Sequence, residues 1–217
     1  MSVKLYIGNK NYSSWSMRPW LCLKKAGIEF EEEIIPLDVP GFKEKILSVS
    51  SAGTVPILEV DGAIITESLA IAEWAAEQAK SLWPIDSLVR AEARAAASLM
   101  HAGFGSIREH WPMNIRSKAT APHHEAALAD AVKIDAFWSG WLEKYATDEK
   151  PFLFGDWSIA DAFYAPVVTR FQTYGAPRSD RAQKYIEAME AEPVFREWAA
   201  AAQTEEWVLK DTDSYLT

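Results

Sequence analysis

Every stretch with strand character in this chain lies before or at Thr66, and the residues after it are helical or loop-like in pattern. A chain patterned this way has to close a small sheet early and then pack a long run of helices around its own core. The strongest signal is the segment 56–66, in which Pro56-Ile57-Leu58-Glu59-Val60 and Ala63-Ile64-Ile65-Thr66 flank Asp61-Gly62. Asp-Gly accepts the positive φ angles of a two-residue turn, so the flanks are expected to pair as an antiparallel hairpin.

Ahead of the hairpin, residues 3–7 read as a short buried strand, 8–11 as a loop, and 16–26 as a helix stopped by Gly27. Residues 30–36 have strand character, 36–41 carry turn residues, and 42–49 form a weaker helical pattern. After it, residues 68–79 place Leu69, Ile71, Trp74 and Ala75 on one broad helical face. The order βαβαββα is complete by about residue 80, and it is the order of a thioredoxin-like domain. The expected fold class is therefore α/β plus all-α: a thioredoxin-like unit at 1–80, a linker at 81–87, and an all-helical domain at 88–217.

In the helical part, Ala93, Ala96, Ala97, Met100 and Phe104 mark one face, and Ala127, Ala131, Ile134, Trp138, Trp141 and Tyr145 mark another. Residues 111–122 contain two prolines and are expected to bend or loop. Residues 158–174 open with Ser158-Ile159-Ala160-Asp161, a capping-box pattern that explains both polar residues by folding alone, and Pro166 is expected to kink the helix. Helices at 181–191 and 194–202 complete the chain's regular structure.

Composition narrows the function classes. At 49% hydrophobic and 24% charged, with no apolar run near 18 residues, the chain reads as a soluble globular protein with no membrane partner. A net charge of −9 without a block of one sign argues against a nucleic-acid partner. The start, Met1-Ser2-Val3-Lys4-Leu5-Tyr6, has neither the basic nor the apolar region of a secretory signal, so a cytoplasmic location is expected. One cysteine, Cys22, excludes an intramolecular disulfide and a cysteine-based zinc site. His101, His110, His123 and His124 do not form a metal-ligand pattern, so no metal is expected.

Four local patterns, in order along almost the whole chain, resemble the glutathione S-transferase superfamily. They are Tyr12-Ser13-Ser14-Trp15-Ser16-Met17-Arg18, Gly53-Thr54-Val55-Pro56, Thr66-Glu67-Ser68-Leu69-Ala70-Ile71, and the segment 152–161, Phe-Leu-Phe-Gly-Asp-Trp-Ser-Ile-Ala-Asp. The first is most similar to serine-type members of the zeta class, with the motif Ser-Ser-Cys-Ser-x-Arg, and this chain has Trp15 where that cysteine stands.

The resemblance implies glutathione as co-substrate. Its thiol is mostly protonated near neutrality, and the thiolate is the nucleophile. A serine hydroxyl at a helix start can donate to sulfur while the free amides and the dipole favour its negative charge. Lowering a thiol pKa by about two units takes about 2.7 kcal/mol, within reach of one charge-assisted bond plus a helix terminus. The doublet Ser13 and Ser14 is the catalytic candidate, with Ser14 favoured; either serine equally suits an N-cap. Arg18 can steady the thiolate field or be an ordinary solvated arginine.

The resemblance further implies a cis bond before Pro56, with the backbone of Val55 pairing the cysteinyl part of glutathione. Without it, an X-Pro bond is most often trans. Glu67 and Ser68, opening the third helix, are implied to take the γ-glutamyl amino and carboxylate groups, although a Thr66/Glu67/Ser68 cluster also starts a helix unaided. Lys43 is placed by position near the glycine end. Tyr12, Trp15, Phe104, Arg108, Trp111 and Met113 are candidate walls for a small hydrophobic electrophile between the domains; a stripe such as Met100 and Phe104 also suits a core.

The implied activity is a glutathione transferase of the detoxification kind, working as a homodimer. Two alternatives stay open: a zeta-like cis-trans isomerase of an unsaturated diketo acid, in which thiol addition and elimination rotate a double bond, and a non-catalytic glutathione-binding module. Disulfide exchange is disfavoured, because it needs a protein sulfur at the head of the first helix and Cys22 lies two turns inside it.

Overall fold

The computed structural model describes residues 1–120 and 124–217; Ala121 and Pro122, at the end of the expected loop, and His123 lie outside the described residues. Strand β1 (Val3–Ile7) pairs in parallel with β2 (Glu31–Ile34) and antiparallel with β3 (Ile57–Val60), which pairs antiparallel with β4 (Ala63–Thr66). The sheet order is β2-β1-β3-β4. At the hairpin, Val60 faces Ala63 across Asp61 and Gly62, both at positive φ (47° and 86°), as the turn dipeptide requires.

The period-two alternation of β1 feeds two cores. Val3, Leu5 and Ile7 enter the main core with residues of α1 (Ser14–Lys25) and α3 (Ser68–Gln78), while Tyr6 joins Ile35, Ile46 and Ile57 beneath α2 (Phe42–Val49). The second strand is shorter than the expected 30–36. Its ladder ends at Ile34, the Ile35 amide makes one further bond to the Ile7 carbonyl at 2.8 Å, and Pro36 has no amide to extend it. Helix α1 starts two residues before the expected 16, because Ser13 caps it and Ser14 and Trp15 occupy its first turn. The buried face of α3 is Ile71, Ala72, Ala75 and Ala76; Leu69 and Trp74 flank it half-buried, so the expected face is rotated.

The rest is helical: α4 (Ser87–Ala102), α5 (Gly105–His110), α6 (Glu125–Tyr145), α7 (Ile159–Tyr174), α8 (Asp180–Ala191), α9 (Pro193–Thr204) and a short α10 (Lys210–Asp213). Asp86 caps α4, its Oδ1 accepting from the amides of Leu88 and Val89 at 2.9 and 3.0 Å. Ala93, Ala96, Ala97 and Met100 are buried as one face, but Phe104 is not on that helix. The helix ends at Gly103, Phe104 takes a left-handed φ of 53°, and its ring meets Phe137 of α6 edge-on at 6.3 Å.

Almost all of α7 is buried, and it continues through Pro166, whose carbonyl accepts from Thr169 Oγ1 at 2.9 Å. At its start, Asp161 accepts from the Ser158 amide at 2.8 Å, the Ser158 hydroxyl at 3.0 Å and the Leu153 amide at 3.1 Å. Trp138 of α6 packs against Tyr164, Phe171 and Tyr185. Helix α1 packs against α3 on one side and α7 and α9 on the other, so a single core runs from the sheet into the helical part. No helix among the described residues is long and apolar enough to cross a membrane.

The sequence patterns did not anticipate the C-terminal strap. Glu205 accepts from the amides of Lys10 and Asn11 at 2.5 and 2.8 Å, and Asp213 accepts from the Tyr12 hydroxyl at 3.1 Å and Asn114 Nδ2 at 2.7 Å. Arg116 joins them, donating to the carbonyls of Glu205 and Trp207 and to the Tyr12 oxygen. The loop that delivers α1 is thereby tied to the chain's last residues.

Candidate functional site

Between the head of α1, the segment before β3, the start of α3 and the end of α4 lies a cleft of about 300 Å³ lined by Trp15, Thr54, Val55, Pro56, Glu67, Ser68 and His101. Five of the expected site residues, Trp15, Val55, Pro56, Glu67 and Ser68, are thus brought together from three separate parts of the sequence. The Val55–Pro56 bond is cis.

Glu67 stands at the N-cap position of α3, yet its side chain makes no capping bond, and its backbone holds the unusual angles φ 71°, ψ 124°. A non-glycine residue held there costs about 1–3 kcal/mol and tends to persist where function requires it. Ser68 is buried, and its hydroxyl has no partner among the described residues. Had these two residues served only to start the helix, their oxygens would be spent on first-turn amides. Both are instead left available beside the free amides of a helix N-terminus.

At the head of α1 the two serines are in different states. Ser13 is the N-cap; its oxygen faces the Ser16 amide at 3.4 Å and its hydroxyl donates to Ser16 Oγ at 2.8 Å, while Ser16 Oγ accepts from the Gly8 amide at 3.0 Å. The Ser14 oxygen accepts from Arg170 Nη2 at 3.3 Å across to α7. A hydroxyl that accepts from a cation keeps its own proton to donate. Both serines are nearly buried, and neither lines the cleft.

Three arginines surround this point. Arg18 is fully buried; its guanidinium carbon lies 4.2 Å from the ring centroid of Trp15 and 5.2 Å from that of Phe163, and none of its nitrogens has a hydrogen-bond partner among the described residues. Burial, then the charges of Arg170 and Arg108, push its pKa well down. Arg170 is pushed down by burial to about 10 and stays a cation at neutral pH; besides Ser14 it donates to the carbonyls of Trp111 and Pro166. Arg108 donates to the carbonyls of Met100 and Gly103 and lies 5.6 Å from the Trp15 ring centroid. The result is a local positive field in a poorly hydrated place, suited to an anion.

The other expected pocket residues lie elsewhere. Tyr12 is buried and turned to Asp213 and Arg116, Trp111 is buried and stacks on Tyr174 with ring centroids 5.3 Å apart, and Met113 is buried in the core. Phe104 sits against Phe137, and Lys43 lies over the Phe42 ring on α2; neither lines the cleft. Sequence reasoning missed His101, Thr54 and Arg170. Arg170 had a signal: it is a charged residue inside the apolar run from Phe163 to Phe171, where a charge has to be serving a buried partner. Among the described residues no group of His, Cys, Asp or Glu is arranged to hold a metal.

Comparison with known proteins agrees with this architecture. The family model described as the glutathione S-transferase N-terminal domain matches residues 12–78, and that of the C-terminal domain matches residues 121–201. A probable maleylacetoacetate isomerase from Caenorhabditis elegans is 33% identical over 119 residues, covering 54% of this chain and 55% of the relative. Glutathione S-transferase L1 from Arabidopsis thaliana is 28% identical over 171 residues, covering 74% of this chain and 63% of the relative. The matched regions therefore span a little over half the length of these curated relatives. Among solved structures, a glutathione transferase homologue from Burkholderia with bound glutathione superposes with a TM-score of 0.70 at 27% identity, covering 94% of this chain and all of the other. An unclassified glutathione S-transferase from Bombyx mori superposes over the whole of both chains with a TM-score of 0.79 at 21% identity, a likeness of fold. Two consecutive family models, supported by the relatives and by a fold shared end to end, lead to one conclusion: the chain belongs to the glutathione S-transferase superfamily.

Proposed function

We propose that the cleft binds glutathione and ionises its thiol for attack on a small hydrophobic electrophile, with residues 1–80 binding the tripeptide and residues 88–217 supplying the electrophile's wall. The observation that carries this reading is the state of Glu67 and Ser68: a carboxylate and a buried hydroxyl at a helix start, neither of them used by the fold, in the same cleft as the backbone of Val55. A zwitterionic amino-acid end requires that pair of groups, and the flanking peptide requires exposed backbone to pair with.

In this reading the γ-glutamyl carboxylate takes the Ser68 hydroxyl and the first amides of α3, the amino group takes Glu67, and the cysteinyl backbone pairs with Val55. Sulfur then lies toward the head of α1. Ser14, whose oxygen already accepts from Arg170, donates its proton to the thiolate, and the positive field of Arg18, Arg108 and Arg170 favours the anion over the thiol. Ser13 serves the helix as its cap, and Trp15 and Arg108 face the second substrate. This reading takes a homodimer in the cytoplasm as the working form.

A second reading rests on the isomerase-named relative at 33% identity. Reversible addition of the same thiolate to a conjugated double bond permits rotation before elimination, so an isomerase uses the same site. Equilibrium binding of glutathione to the wild type and to Glu67→Ala tests the shared core. The reading expects binding by the wild type and a loss of roughly tenfold or more in the variant, the size of a charge-assisted hydrogen bond. Wild-type protein that fails to bind glutathione contradicts it. Turnover of an aromatic electrophile against isomerisation of an unsaturated diketo acid separates the two chemistries, and binding with neither leaves a non-catalytic module.

A further inference from the structure

His101, in the last turn of α4, faces the cleft opposite Glu67. Its Nε2 lies 3.8 Å from Glu67 Oε2. That gap is too long for a hydrogen bond between the two, but it suits two acceptors sharing one donor group: an ammonium nitrogen about 2.9 Å from each fits across it. The imidazole is packed in place, edge-on to Trp15 with ring centroids 5.4 Å apart and 6.2 Å from Phe163, so its position is set by the fold and not by solvent.

From this geometry we propose that His101 is the second half of an ammonium receptor, Nε2 accepting one hydrogen bond and Glu67 the other from the amino group of the bound γ-glutamyl residue. The inference rests on glutathione being the ligand of the cleft and adds to it a specificity residue. Accepting at Nε2 requires a neutral ring with its proton on Nδ1, which is buried among the rings and has no other partner among the described residues.

The surroundings favour that neutral state. Burial first, then the charge of Arg18 from α1, lower the His101 pKa, Arg108 from α5 acts the same way, and Glu67 from the start of α3 opposes them. Above the lowered pKa the ring is neutral and accepts; as pH falls through it the ring gains a proton, loses the lone pair and repels the ammonium group. Binding of an amine-bearing ligand is therefore present at neutral pH and lost on acidification, while a ligand without the amine does not share that loss.

The test compares two probes, glutathione and glutaryl-cysteinyl-glycine, which is glutathione without the amino group. Dissociation constants are measured by calorimetry between pH 5 and 8 for the wild type, His101→Phe and His101→Gln, each checked for a cooperative melt. In the wild type at neutral pH, glutathione is expected to bind about tenfold or more tightly than the deaminated probe. His101→Phe, which keeps an aromatic ring against Trp15, is expected to cut that preference by about threefold or more with the deaminated probe unaffected, and His101→Gln, whose amide oxygen can accept, to restore part of it. The wild type's preference falls toward acid pH more steeply than that of His101→Gln, which has no ring to protonate. Equal weakening of both probes in His101→Phe, or no change in either, overturns the role of His101 while leaving glutathione binding intact. Wild-type protein that binds neither probe overturns both the reading of the cleft and this inference.

Discussion

Arg170 Nη2 donates to Ser14 Oγ at 3.3 Å, joining the C-terminal half of α7 to the first residue of α1. The same guanidinium is anchored by the carbonyls of Trp111 and Pro166, so the serine is held by a group that is itself fixed. A lone pair of Ser14 is thereby engaged, which leaves its proton to donate. Replacing Arg170 by Met should therefore do two separable things. Removing the donor and one of three clustered cations should raise the pKa of bound glutathione by roughly half a unit to one unit, and losing the guanidinium's buried hydrogen bonds should cost about 1–3 kcal/mol of stability. Thermal melting and the pH dependence of thiolate absorbance read the two effects independently.

Asp161 supplies the second prediction. It accepts three hydrogen bonds, from the amides of Leu153 and Ser158 and the hydroxyl of Ser158, in a fully buried place. Asp161→Ala leaves two buried amides without an acceptor and should destabilise the protein by about 2–5 kcal/mol in denaturant unfolding. The glutathione affinity of the fraction that remains folded should change less than threefold, because the capping box lies outside the cleft.

Cys22 gives a third. It is completely buried in α1, and burial pushes its thiol far above the usual range. The native protein should react with a disulfide reagent more slowly than a free thiol by several orders of magnitude, and release one equivalent of chromophore when denatured. Fast labelling of native protein would place Cys22 near the surface and reopen a redox role.

The C-terminal strap gives a fourth. Glu205 closes on the amides of Lys10 and Asn11, just ahead of the serines. Glu205→Ala should cost about 1–3 kcal/mol and expose the residues after 205 to proteolysis, with cleavage mapped by mass spectrometry.

The fold was legible where local chemistry decides it. Asp61-Gly62 forces a hairpin, Gly27 stops α1 and the Ser158/Asp161 pair starts α7, because each is settled within a few residues of chain. Phe104 was misplaced for a related reason: its spacing from Met100 fits a helix, and only the break at Gly103 takes it off that face. The site was legible only in part. Glu67 and Ser68 read equally well as caps until the structure left their oxygens unspent. The cis state of the Val55–Pro56 bond came from family resemblance and not from the residues. His101 had no sequence signal, since its meaning depends on Glu67 coming to lie across the cleft from a helix 34 positions later, the separation of residues 67 and 101 in the chain. The strap was equally hidden, because Glu205 acts on amides at residues 10 and 11.

In the proposed chemistry the hydroxyl of Ser14 keeps the sulfur of bound glutathione negatively charged near neutral pH. A difference ultraviolet titration of bound glutathione, run on the wild type, Ser14→Ala and Ser13→Ala, puts that role to the test. The expected outcome is a bound-thiol pKa about two units below that of free glutathione in the wild type, a rise of roughly one to two units in Ser14→Ala, and a shift under about half a unit in Ser13→Ala, whose main cost is about 1 kcal/mol of helix capping. A thiolate band that survives Ser14→Ala unchanged and disappears in Ser13→Ala would overturn this assignment.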